Sequence, residues 1–471
     1  MKEDRALELG GESLRALIDS AARRIVAHIA SLPSQPSADN RDPAGLARSL
    51  REPLPESGAE AEDLLDLLFT TVIPRGFNTA GPGYLAYIPG GGLPHAAVAD
   101  LIADATNRYV GVFAAAPGLA QIEANVVRWF CEIVGYPGSA GGILTTGGSL
   151  SNFSAIVAAR RDRFENEFRS GTLYVSDQTH HSIQKAASLA GFPEGHVREI
   201  SSDANFRIRL DLLASAVAAD RAAGLSPFFV VGNAGTTNTG AVDDLGALAD
   251  FAEAERLWFH TDAAYGGFFA LTERGKKRLT GIERSDSVVL DPHKSLFLPY
   301  GNGSLLVRDP ETLKRAHALS ADYLPRMQEA ADLADFTLLS PELSRDWRGL
   351  RAWLPIKMHG IGVFRTNLDE KLDLAAWAAE ELARIPGIRI LALPQLSTLA
   401  FRLERAGLAD PQLDALNADL MEKINGRGRI YLTATRLNDR FAIRICVLSF
   451  RTHLDRMEQG LEDIRASIAE V

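Results

Sequence analysis

The sequence predicts an α/β protein: a large domain with a mainly parallel seven-stranded sheet between helices, a small α+β C-terminal domain and a helical N-terminal arm. Three observations carry this. Seven short apolar runs alternate with helical patterns between about residues 95 and 310. Residues 12–30 repeat apolar side chains at helical spacing ahead of that region. A second set of short strands follows a long helical stretch.

The arm is read from Leu14, Leu17, Ile18, Ile25 and Ile29, which fall on one helical face. Residues 31–58, rich in Pro, Ser, Asp and Gly, read as an irregular connector, and a helix is expected at 60–72. The predicted strands of the large domain are 142–146, 172–176, 197–200, 228–232, 257–261, 287–290 and 304–307. Helices are predicted at 151–168, 182–190, 210–223 and 244–255. Strand, helix and strand in succession imply right-handed crossovers and a parallel sheet covered on both faces. Interiors such as FFVV and SLLV suit burial on both sides. Beyond the helical stretch 345–385, strands are expected at 388–393, 399–404, 430–434 and 441–448, with helices at 411–424 and 454–469. The domains expected are therefore 1–75, 76–350 and 351–471.

Composition narrows the function classes. A chain of 471 residues, 46% hydrophobic and 23% charged, can bury a large core without disulfides. Its net charge of −10 argues against a nucleic-acid partner, which wants a basic patch. Cys131 and Cys446 read as two buried thiols, and no Cys/His spacing suggests a metal site. The N-terminus lacks an apolar secretory core and no apolar run reaches the length of a membrane span, so no membrane partner and a cytoplasmic location are expected.

Ligands of a parallel α/β sheet collect at the carboxyl ends of its strands. Four predicted strands end in Gly147-Gly148-Ser149, Asn233-Ala234-Gly235-Thr236-Thr237, Asp262-Ala263-Ala264-Tyr265 and Asp291-Pro292-His293-Lys294. The glycine turn before a helix suits an anion, or is a plain serine N-cap. Asp262 suits a pyridinium nitrogen, or caps a helix or pairs with arginine. Lys294 suits a Schiff base, or is a surface lysine; His180, after YVSD, suits stacking on a ring, or is a capping or core histidine. Together they describe one ligand with a phosphate, a flat ring, a ring nitrogen and an aldehyde, which are the parts of pyridoxal 5'-phosphate.

The runs TTGGSLSN, YVSDQTHHSIQKA, GNAGTTNTGAVDD, HTDAAYGG, DPHKS and RFAIRICVLSFRTH resemble the group II pyridoxal-phosphate decarboxylases, which include aromatic-L-amino-acid, histidine and glutamate decarboxylases. The resemblance runs in order from about residue 80 to near the C-terminus. It implies fold type I, a homodimer, and an L-amino acid substrate, aromatic types favoured, that loses carbon dioxide to give its amine. By the same resemblance Lys294 is the Schiff-base lysine, Asp262 keeps the ring nitrogen protonated, and His180 and Ala264 pack on the two ring faces. Gly148, Ser149 and Ser287 hold the phosphate, with Thr237 near the ring and His293 beside the lysine. Tyr87, Ile88 and Pro89 touch the substrate side chain.

The chain departs from the pattern in places. Asp291 stands where several relatives have asparagine near the phosphate. Gly111 falls where aromatic-selective members carry a bulky aromatic, which implies a roomier or differently shaped pocket. Phe336 falls near the tyrosine that protonates the product carbon in relatives, with Tyr323 upstream as a substitute. Relatives with phenylalanine there act as aldehyde synthases, coupling decarboxylation to oxidative deamination. Two rivals differ in class. Another fold type I lyase or transferase shares Asp and Lys at strand ends. A nucleotide-binding protein would use Gly81–Ala86 as GxGxxA, but that run follows a loop rather than a strand.

Overall fold

A computed structural model describes residues 7–318, 330 and 332–471. Tyr323 lies outside the described residues. The arm is the helix Gly11–Ser31, one residue longer at each end than its apolar pattern. The connector after it is less irregular than expected. Pro43–Ser49 forms a helix, with Asp42 accepting the Gly45 N–H at 2.9 Å as its N-cap. A two-residue strand β1 (Ala38–Asp39) pairs antiparallel with β2 (Gly76–Phe77). The helix expected at 60–72 is Ala61–Asp66, continued by a wider π-turn over Leu67–Val72.

The large sheet holds β3 (Gly141–Thr145), β4 (Gly171–Ser176), β5 (Val197–Ile200), β6 (Ser226–Asn233), β7 (Trp258–Asp262), β8 (Ser287–Leu290) and β9 (Gly303–Val307). Their spatial order is β3-β9-β8-β7-β6-β4-β5. Neighbours from β8 through β5 are parallel, and β9 runs antiparallel to both β3 and β8. One reversed strand therefore leaves the carboxyl ends of β3, β4, β6, β7 and β8 on a single edge. Phe229, Val230, Val231, Val288, Val289, Leu305 and Leu306 are fully buried, because helices cover both faces.

The C-terminal sheet is antiparallel in the order β10-β11-β13-β12, made of β10 (Ile388–Ala392), β11 (Thr398–Leu403), β12 (Thr433–Leu437) and β13 (Arg440–Cys446). The helices Ile361–Ala383, Asp410–Gly426 and Leu454–Ile468 pack on it around Leu399, Phe401, Ile443 and Leu420. Cys131 and Cys446 are both free and buried. Among the described residues, no helix is long and apolar enough to cross a membrane.

Candidate active site

The edge shared by the carboxyl ends of β3, β4, β6, β7 and β8 encloses a cavity of about 310 Å³. Eight of the residues expected at a ligand line it: Gly148, Ser149, His180, Thr237, Asp262, Ala264, His293 and Lys294. They come from five segments spread over nearly 150 positions of chain and meet because each follows a strand that ends on this edge.

The glycine turn is built for close approach. Gly147 accepts the N–H groups of Leu150 and Ser151 at 3.1 and 3.2 Å, which starts the helix Gly148–Arg163. The N–H groups of Gly148 and Ser149 stand in the first helical turn, where no carbonyl of the helix can reach them. β9 runs directly beneath: a side-chain carbon on Gly303 would lie 2.5 Å from the Gly147 Cα. Gly235 (φ +105) serves the same end on the opposite wall, where a Cβ would lie 2.7 Å from the Tyr265 ring.

Lys294 is placed by the short helix Pro292–Ser295, which follows β8 at once. Its Nζ lies 2.9 Å from Asp291 Oδ2. Burial pulls the amine pKa down, but the carboxylates of Asp291 and Asp262 outweigh it, so the net shift is upward. Asp291 is buried, its Oδ2 would lie 3.0 Å from a Cβ on Gly148, and its Oδ1 has no hydrogen-bond partner. His293 donates from Nδ1 to the Asn302 carbonyl at 2.6 Å, with Nε2 3.7 Å from Asp291; burial lowers its pKa. Asp262 accepts the Ala264 N–H on Oδ1 at 3.2 Å and the Asn152 amide on Oδ2 at 3.3 Å. His180 takes the Ser182 N–H and hydroxyl on Nδ1, at 3.3 and 2.8 Å, and burial lowers its pKa.

Ser287 does not join them. It opens β8, and the cavity lies past the other end of that strand, roughly 13 Å along at about 3.3 Å per residue. Its hydroxyl is fully buried between the Trp258 indole and His260, so it cannot reach a phosphate at the glycine turn. Tyr87, Ile88 and Pro89 also lie outside the lining. Tyr87 is exposed with a left-handed backbone (φ 48), its carbonyl held by Arg444, and Ile88 joins the main core cluster. Their segment nevertheless abuts the site: a Cβ on Gly90 would lie 2.2 Å from the His293 carbonyl.

Two departures from the pattern take on a different meaning. Gly111 adds no room, because a Cβ there would lie 2.7 Å from the Thr337 methyl. Phe336 is a core residue, packed with Ala120, Ile143 and Leu305, with the Arg345 guanidinium 5.2 Å above its ring. Sequence reasoning missed Asn152 and Ser182 in the lining, and gave no role to Asn233 and Tyr265 of the strand-end runs, which also line it. Asn152 falls one helical turn beyond Gly148, a spacing that could have found it.

The side chains and backbone of the lining fit pyridoxal phosphate: N–H groups for a phosphate, a flat imidazole, a carboxylate and a lysine amine. The family model for the pyridoxal-dependent decarboxylase conserved domain matches residues 43–404. An aromatic-L-amino-acid decarboxylase of Bacillus atrophaeus is 34% identical, over 99% of this chain and 97% of the relative. Tryptophan decarboxylase 1 of Oryza sativa subsp. japonica is 27% identical, over 98% and 95%. The crystal structure of Oryza sativa TDC with PLP and tryptamine superposes with a TM-score of 0.93 at 26% identity, over 98% of this chain and 99% of that one. The chain belongs to the pyridoxal-dependent decarboxylase family, and it is an enzyme that uses pyridoxal 5'-phosphate to decarboxylate an amino acid.

Proposed function

We propose that the substrate is an aromatic L-amino acid, released as its amine and carbon dioxide, and that the cavity at the strand ends is where this occurs. The observation that carries the reading is the convergence of Lys294, Asp262, His180 and the Gly148–Ser149 turn on one cavity. The aromatic assignment is supported by the relatives, which are named for aromatic substrates.

When bound, pyridoxal phosphate supplies the electron sink for the pair released as the carboxylate leaves. The residues do the rest. Gly148 and Ser149 offer N–H groups and the positive end of a helix dipole to the phosphate. Asp262 would face the ring nitrogen and balance its proton. His180, Ala264 and Thr237 would hold the ring, with His293 beside the lysine. Lys294 would hold the cofactor through its amine, and Asp291, 2.9 Å from Nζ, holds the proton of that amine. We assign Tyr87, Ile88 and Pro89 to the substrate side chain, on the segment that abuts the site at Gly90.

The same proposal divides the chain at 1–75, 76–350 and 351–471, and takes the working form to be a cytoplasmic homodimer. The exposed Leu14, Leu17, Ile18, Ile25 and Val26 of the N-terminal helix support a partner chain. Among the described residues nothing favours the aldehyde-forming alternative, since Phe336 lies in the core.

A screen of the natural L-amino acids with products identified by mass spectrometry tests the proposal. Carbon dioxide and amine from tryptophan, tyrosine or phenylalanine are expected. Activity confined to non-aromatic substrates overturns the assignment, and aldehyde with peroxide moves it to the oxidative reaction.

A further inference from the structure

Beneath the cavity runs a buried chain of polar side chains that the reaction itself does not use. Trp258, His260 and Ser287 lie on adjacent strands, with His260 and Ser287 directly paired across β7 and β8. Asn152 and Ser182 come from the helices Gly148–Arg163 and Ser182–Leu189. All five are buried, His260 and Ser287 completely. Polar groups buried this deeply must satisfy one another, so the sense of each bond is decidable.

The indole N–H of Trp258 can only donate, and it meets Ser287 Oγ at 2.8 Å. The Ser287 hydroxyl then gives its own proton to His260 Nδ1, 2.7 Å away. That leaves the His260 proton on Nε2, which donates to Asn152 Oδ1 at 3.0 Å. The Asn152 amide is thereby oriented with its NH₂ toward Asp262 Oδ2 at 3.3 Å and Ser182 Oγ at 2.9 Å. Ser182 passes its proton to His180 Nδ1 at 2.8 Å. Reading from the other end gives the same answer. A flipped Asn152 would set its carbonyl oxygen against the Asp262 carboxylate, and His180 Nδ1 already accepts the Ser182 N–H. Burial pushes His260 down to about 4, so the ring is neutral and carries one proton. It also lies near-parallel to the Phe229 ring, centroids 5.4 Å apart, which fixes its plane.

We infer that His260 is a positioning residue: seated on Trp258 and Ser287, it orients the Asn152 amide, and through that amide sets both the Asp262 carboxylate and the His180 ring. The consequence is specific. Asp262 keeps its remaining lone pairs for the ligand, and His180 has its proton on Nε2. Ser287 thus serves the cavity from the far end of β8. The inference rests on the site reading above, in which Asp262 and His180 hold the cofactor ring.

The test compares His260→Phe with His260→Gln in otherwise intact enzyme. The readouts are the equilibrium dissociation constant of pyridoxal phosphate for the apoenzyme and the visible absorption band of the bound cofactor. A glutamine amide can accept from Ser287 and donate to Asn152, whereas phenylalanine keeps the ring and loses both bonds. H260F is expected to weaken cofactor binding by about tenfold or more and to shift the band, and H260Q to recover to within about threefold of wild type. Wild-type binding and band in H260F, or H260Q as impaired as H260F, overturn the inference. Should H260F fail to fold, Ser287→Ala removes one distant hydroxyl and is expected to weaken binding by roughly threefold; unchanged binding there also overturns it. Asp262→Ala separates the two levels. If D262A binds cofactor like wild type, the site reading fails; if D262A is impaired and H260F is not, only the positioning role falls.

Discussion

Replacing Asp291 with asparagine should speed the capture of pyridoxal phosphate by Lys294 at neutral pH. The Asp291 carboxylate lies 2.9 Å from Nζ and only 2% of its side chain is exposed. Two unit charges at that distance interact by about 6 kcal/mol at an effective dielectric of about 20. If a quarter of that survives relaxation and water, about 1.4 kcal/mol, the neutral amine fraction changes about tenfold. The sign follows from the raised pKa of Lys294: at neutral pH the amine is charged, and its reactive neutral fraction grows as pH rises toward that pKa. Removing the carboxylate lowers the pKa, so D291N carries more neutral amine at the same pH. The substitution also removes negative charge beside the turn at Gly148, which acts in the same direction on a phosphate. Stopped-flow absorbance after mixing apoenzyme with cofactor, from pH 6 to 9, reads the effect. D291N should capture about tenfold faster near neutrality, with its pH profile displaced to lower pH. Superimposed profiles would refute the coupling between Asp291 and Lys294.

Three further outcomes follow from the packing. Gly303→Val would drive a side chain into the Gly147 Cα and lift the phosphate turn, weakening pyridoxal phosphate about tenfold in equilibrium dialysis; unchanged affinity would mean the phosphate sits elsewhere. Glu123→Gln strands the Arg345 guanidinium, 2.5 Å away and equally buried. That should cost about 3–5 kcal/mol and lower the thermal midpoint by several degrees, whereas an unchanged midpoint would mean the pair is solvated. Native enzyme should titrate no fast-reacting thiol and denatured enzyme two, because Cys131, pushed up to about 12 by burial, and Cys446 are both free and buried.

The strands were legible because their apolar runs end abruptly in polar or small residues. Val197–Ile200 and Ser287–Leu290 were read at their observed limits. The lining residues that follow strands were legible for the same reason, since a parallel sheet gathers such ends together. Ser287 shows what transfer by resemblance can miss. It was assigned to the phosphate although the same strand reading had it opening β8, at the edge away from the site. Asn152 and Ser182 were not read because neither follows a strand. His260 lies two residues before Asp262 on the same face of β7, but burial and hydrogen bonding, not sequence, define its partner. The short pairing of β1 with β2 was hidden because β1 lies in a connector whose proline and glycine content masks a contact made across 37 to 39 positions.

Lys294 is the proposed carrier of the cofactor. Holoenzyme reduced with borohydride, digested and sequenced by mass spectrometry should show the pyridoxyl-phosphate adduct on Lys294, and Lys294→Ala should lose both the adduct and the visible band. An adduct confined to another lysine, or a K294A enzyme that keeps the band, would contradict it.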